Sequence, residues 1–232
     1  MHITRFVLLA GLLGASISVD GADPRSLAEL AAEADLVALA QLRDTDYRRQ
    51  RNIPVSGAAY LRVLIPYKGV KAGEIIEVFE KGLRDTECYF PNPTVFEEGR
   101  RYLLFLRRDP ANPERFRGLP EGCALDVLVD ADNGYALRYP LDGIAVSDML
   151  AGLAREMAFA DPYSIVEDRD LPPSERSELQ SGGFIAPHSD DRQSAETQSG
   201  SLAPPPDYRG PRWRYTHGIP LESFRPLLKL DP

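Results

Sequence analysis

Apolar and polar residues along this chain fall into short alternating runs, and those runs predict a mainly β fold. Ser26 with Glu29 three residues on has the spacing of a capping box, and Pro24 suits a first helical turn. Leu27, Leu30 and Ala31 share one side of the helix so predicted, which reaches about Ala34. Leu36 to Leu42 is mostly apolar, as a buried strand requires, whereas Arg43 to Asn52 is polar around Tyr47 and reads as an exposed loop. Ala58 to Ile65 and Glu74 to Glu80 are the next strands, separated by turns at 66–69 and 71–73. A long connection over 81–98 precedes Arg101 to Leu106, the strongest strand pattern in the chain.

After a polar, proline-broken loop, Leu125, Val127 and Val129 alternate on one side of Asn133-Gly134, and Tyr135, Leu137 and Tyr139 alternate on the other. Asn-Gly tolerates the positive φ angles of a tight turn, so this pattern predicts a hairpin. Asp130 to Gly134 superficially resembles a calcium loop, but its glycine comes one position early and no glutamate follows at the required distance. Ser147 is placed to cap a helix to about residue 158, with Leu150, Leu153, Ala154 and Met157 on one face. The core expected from the strand phases includes Leu36, Leu39, Val63, Ile76, Val78, Leu104, Val127 and Leu137.

Composition alters the picture mainly beyond residue 160. The 232-residue chain has 20 prolines, and ten of them follow residue 171. Over 161–211 aliphatic residues become scarce and Ser, Gln, Asp and Pro dominate, so a disordered linker is expected. Hydrophobicity returns over 212–232, where Trp213, Tyr215, Ile219, Leu221, Phe224, Leu227 and Leu228 concentrate. Pro220 suits the first turn of a short helix there. Two readings stand for this segment: docking on the chain's own domain, or a tethered motif that captures a partner.

Met1 to Arg5 carries one positive charge, and Phe6 to Val19 is apolar apart from two serines, followed by small residues. That order is expected of a signal peptide over about 1–21, too short for a stable membrane anchor, with cleavage somewhere in 16–22. Export places Cys88 and Cys123, the two cysteines of the chain, in an oxidising setting where they are expected to pair; two buried free thiols are the alternative. A net charge of −8 argues against nucleic acid as a partner. Arg100, Arg101, Arg107 and Arg108 are the densest basic positions on a predicted strand and read as its solvated ends.

Five or six short strands, a leading helix and no βαβ alternation predict a small closed barrel from about 35 to 140, within a domain of 23–160 that includes the flanking helices. Ala34-Asp35-Leu36-Val37 after the helix, Tyr67-Lys68-Gly69 after a strand, Cys88 in a loop and Gly99 to Leu106 occur in that order. The set resembles exported bacterial proteins related to the netrin-like, tissue-inhibitor-of-metalloproteinases group of OB barrels. The resemblance covers about 26–145 and implies a five-stranded barrel used for binding. The animal inhibitors of that group chelate a protease zinc through an N-terminal cysteine, and no cysteine lies near the expected mature start here.

No nucleophile elbow, phosphate loop, dinucleotide fingerprint or zinc-protease helix occurs in the chain. His188-Ser189-Asp190 are adjacent in the expected linker, where nothing would hold them as a triad, and Glu97-Glu98 and Asp190-Asp191 read as solvated acids. The sequence thus points to an exported, non-enzymatic binding module without cofactor or metal. Its expected partner is a protein or a component of the cell envelope. The rival is a small hydrolase whose carboxylates assemble only in three dimensions.

Overall fold

The computed structural model describes residues 24–82, 87–91, 98–188 and 210–230. The expected signal peptide and residues 189–209 of the expected linker lie outside these. Strands β1 (Leu36–Gln50), β2 (Ile53–Lys68), β3 (Ile75–Lys81), β4 (Arg101–Asp109) and β5 (Asn112–Gly118) form a closed barrel in the order β1-β2-β3-β5-β4-β1. Neighbours are antiparallel except β3 and β5, which meet in parallel at Val78 and Phe116. This order is compatible with an OB-like barrel. β4 also pairs with β6 (Ala124–Val129), which continues the sheet to β7 (Tyr135–Arg138).

The apolar run of β1 follows from its place in two layers. Leu36, Ala38 and Ala40 point into the barrel with Leu61, Val63, Ile76, Val78, Leu104, Leu106 and Phe116. Val37 and Leu39 point outward into a second core with Leu103, Phe105, Leu125, Val127 and Leu137. All eight expected core residues are buried, but they divide between the two cores rather than filling one. Both faces of this strand are covered, so it carries no polar alternation.

Helix α1 (Leu27–Glu33) covers the outer core with Leu27, Leu30 and Ala31. Its N-terminus is the expected capping box, with Ser26 and Glu29 bonded reciprocally; Pro24 lies before the cap rather than in the first turn. At the other end Lys68 Nζ donates to the carbonyls of Ala31 and Ala32, both at 2.9 Å, satisfying two acceptors the helix leaves open. Asp35 Oδ2 accepts from the Arg108 N–H at 2.7 Å. Gly69 has φ +72°, and a Cβ there would lie 2.0 Å from the Asp35 carbonyl oxygen; at Gly99 a Cβ would lie 1.8 Å from that of Leu42. The residues that carried the family resemblance therefore hold helix, strand and turn together. Gly99→Ala is expected to lower stability by about 2 kcal/mol or more, because backbone must move; a denaturation midpoint equal to wild type would refute this.

Four sequence expectations are corrected. The loop over 43–52 is instead the distal half of the β1–β2 ribbon, turning at Arg51 and Asn52, both with positive φ. Its backbone pairs without needing an apolar face. The expected hairpin is present and Asn133 has φ +62°, but its turn is wider than two residues: Val129 pairs with Tyr135, and residues 130–134 form the loop, with Asp130 Oδ1 accepting from the N–H groups of Asp132 and Gly134. The helix over 147–158 is replaced by a 3₁₀ turn at Ala151–Leu153 and by β8 (Arg155–Glu156), because β12 (His217–Pro220) supplies a strand partner.

The fourth correction shortens the linker. Residues 162–187 hold β9 (Ile165–Glu167), α2 (Pro173–Ser181) and β10 (Ile185–Pro187). β9 and β10 flank β11 (Arg212–Tyr215) in a three-stranded sheet. Phe159, Leu171, Leu179, Ile185 and Tyr215 pack with Leu128 and Ala136 on the far face of the β6–β7 hairpin, so a few well-spaced apolar groups suffice to order the segment. Trp213 Nε1 donates to Asp168 at 2.8 Å, and Arg176 pairs with the same carboxylate. These bonds, that from Trp213 foremost, hold the Asp168 carboxyl below the ordinary aspartate range. A depressed folded-state value contributes stability above the unfolded pKa, and that contribution disappears as pH falls through the folded one. Fluorescence of Trp213, the one tryptophan, should accordingly change below about pH 4. Asp168→Asn should abolish that transition, and a transition unchanged in the variant would exclude this pair as its origin.

Candidate functional site

The C-terminal segment expected as a docking or capture motif is built into the fold. β12 lies between β7 and β8. Ile219, Leu221, Phe224 and Leu228 are buried in the outer core beside α1, with Leu227 partly buried against it. Helix α3 (Leu221–Phe224) begins after Pro220, as its fixed φ favours. Self-docking is what these residues do here; Trp213 and Tyr215 instead belong to the smaller sheet.

Cys88 and Cys123 form a disulfide with their Cα atoms 5.9 Å apart, closing the connection between β3 and β4 onto the start of β6. Buried Glu80 accepts from Gly118 N–H at 2.8 Å and pairs with Arg117 at 3.0 Å beneath it. Phe90, beside Cys88, packs edge-on against Tyr102, with centroids 4.9 Å apart. Tyr47 from the ribbon accepts the Phe90 N–H at 3.1 Å, and burial raises the Tyr47 pKa to about 12. A disulfide fits an oxidising compartment. Among the described residues no helix is long and apolar enough to cross a membrane.

The concave surface lies on the far face of β4, β6 and β7. Tyr102 is directly opposite Asp126, and one step along the β6–β7 register brings Asp126 to Arg138. The three side chains therefore form a row across the sheet, and residues 163–175 with Tyr215 wall in its Asp126 and Arg138 end. The resulting cleft measures about 480 Å³ and runs on, past Arg100, Asp126 and Asp142, into a recess of about 290 Å³ beside the disulfide.

Arg138 organises the floor. Its guanidinium pairs with Asp126 at 3.1 Å and Asp142 at 3.0 Å, donates to the Tyr215 hydroxyl and lies 4.7 Å from the centroid of that ring. Burial works against its charge, but Asp126, Tyr215 and Asp142 outweigh burial and lift its pKa above the ordinary arginine value. Tyr215 itself is raised, chiefly by burial. Two polar atoms in this row are buried without a hydrogen bond: Arg138 Nε and the Tyr102 hydroxyl. Desolvation, reinforced by the Asp126 charge, drives the Tyr102 pKa far above the ordinary tyrosine range. Arg100 stands at the junction of cleft and recess, its guanidinium 5.1 Å from the Tyr163 ring centroid.

The four arginines noted around β4 do not make one basic groove. Arg101 is tied to Asp161 and Glu98, and Arg108 packs on Phe116 and donates to the Pro113 carbonyl. Arg107 is exposed on the barrel wall, leaving Arg100 as the member of the set that lines the cleft. His188 follows β10, where its N–H donates to Arg212, and its two sequence neighbours lie outside the described residues. The row Tyr102–Asp126–Arg138 escaped sequence reasoning. Its one signal was the complementary charge of Asp126 and Arg138, visible only once the hairpin register is known.

Comparison with protein-family models, with curated proteins and with solved structures finds no match to this chain.

Proposed function

We propose that this chain is an exported, non-enzymatic binding module built on a netrin-like barrel. The observation that carries the reading is the contrast between a filled barrel and an open polar cleft beside it. The barrel interior is packed with Leu, Val, Ile and Phe side chains, leaving its inside to stability. The cleft, by contrast, holds charged and aromatic groups on a rigid sheet, with walls contributed by two separate segments of chain. Recognition sites have this mixture of fixed polar groups and apolar surface. Closure of the barrel, the leading helix and the disulfide loop support the netrin-like reading. The apolar N-terminal run and the disulfide support export, into a setting where the partner is a protein or envelope component.

The rival hydrolase would have to use the cleft carboxylates. Asp126 and Asp142 both face Arg138, an arrangement that fixes negative charge rather than one that leaves an acid and a base on opposite sides of a scissile bond. The test is capture of partners from an extracellular or periplasmic fraction by the disulfide-intact protein and by its Arg100→Glu variant. A partner retained by wild type and lost by the variant supports the module. Turnover of glycoside or ester substrates that collapses in Asp126→Asn would overturn it.

A further inference from the structure

We infer that the recess beside the disulfide binds a small zwitterion, one carboxylate and one ammonium group carried on an apolar body. The inference rests on the binding-module reading and names the ligand of that site.

Two groups argue for the carboxylate. Tyr102 is 5% exposed, lines the recess and has a hydroxyl without a hydrogen-bond partner. A buried hydroxyl left unpaired destabilises a fold, so its retention calls for a partner outside the chain. Arg100 lines the same recess beside the Tyr102 hydroxyl and packs on the Tyr163 ring, and among the described residues no carboxylate stands within ion-pair distance of it. Arg100 immediately precedes β4 and Tyr102 is its second residue, and both line the recess. A guanidinium fork and a phenolic hydroxyl in one recess make a donor set for a carboxylate.

The opposite charge argues for the ammonium group. Asp126 and Asp142 line the recess with Arg100, and Arg138 is already shared between those two carboxylates. A bare polyanion would meet them unfavourably, and a simple cation would leave Arg100 and Tyr102 unanswered. A ligand bearing both charges satisfies the two sets together. Phe90 and the 290 Å³ volume add an apolar wall and a limit of amino-acid size.

The probes are L-phenylalanine, phenylacetate and phenethylamine, which share a ring but carry both charges, the negative one alone, or the positive one alone. Titration calorimetry of the disulfide-intact protein should find L-phenylalanine bound about tenfold or more tighter than either single-charge probe. Tyr102→Phe should weaken that binding by about tenfold while its melting temperature stays equal or rises, since an unpaired buried hydroxyl has been removed. Arg100→Gln should weaken L-phenylalanine and phenylacetate and spare phenethylamine. Equal binding of phenylacetate would reduce the recess to a plain carboxylate site, and equal binding of phenethylamine to an acidic patch; either overturns the inference. No heat with any probe at about 10 mM overturns it too, since even millimolar affinity would register there. Partner capture that still depends on Arg100 would leave the binding-module reading standing in that case.

Discussion

Removal of residues 212–232 is expected to unfold more than the segment removed. β12 is hydrogen-bonded on both sides, to β7 and to β8, and Ile219, Phe224 and Leu228 fill the outer core under α1. Without them Leu27, Leu30, Leu125 and Leu137 would face water, and β11 would no longer join β9 to β10. Phe224→Ala isolates the packing part of this loss. Truncating a fully buried phenylalanine costs about 3–5 kcal/mol, a large share of the ~5–15 kcal/mol that holds a domain folded. The melting temperature should fall by about 10 °C or more in the point variant and further in the truncation. An unchanged melt in the truncated protein would mean that the segment is an appendage.

The second large effect concerns the disulfide. Opening Cys88–Cys123 releases a closed loop of 35 residues in the unfolded chain, an entropy worth ~4 kcal/mol on the loop-closure model. The loss should concentrate where Phe90, Tyr102 and Tyr47 meet, because the clamp holds Phe90 against the sheet. Urea denaturation of the oxidised protein and of Cys88→Ser/Cys123→Ser should give midpoints well apart. Hydrogen exchange in the variant should rise first at Phe90 and the adjoining end of β4. Coincident denaturation curves would refute both the magnitude and the role of the clamp.

What the sequence could show depended on whether a residue's neighbours came from nearby in the chain. α1 was legible because its cap, its apolar side and its start are local. Barrel strands were legible where burial forced apolar runs, as at Leu36–Leu42 and Arg101–Leu106. β5 was missed because NPERFRG is polar with a proline in second place, and only pairing with β4 makes it a strand. The hairpins show the limit of turn rules. The favoured Asn133-Gly134 sits in a longer loop, whereas the two-residue turn falls on Arg51-Asn52, a pair with no glycine. Misplacing that first turn shifts the register of the β6–β7 pair, and with it the meeting of Asp126 and Arg138. The cleft was therefore illegible for two reasons: its floor depended on register, and its walls come from 163–175 and Tyr215, far from the floor in sequence.

β12 is synthesised after every other strand described, yet it occupies an interior position in the nine-stranded sheet. A nascent chain can close β1–β5 into a barrel early, but the outer core beneath α1 stays incomplete until residue 228 arrives. In the interval Leu103, Leu125, Val127 and Leu137 are exposed as a sticky surface, and the edge of β7 offers unpaired backbone groups. Completion of the domain thus waits on its latest-made strand. A ribosome that still holds that strand keeps the molecule pliable, and release of the strand acts as the latch that ends its vulnerability to aggregation.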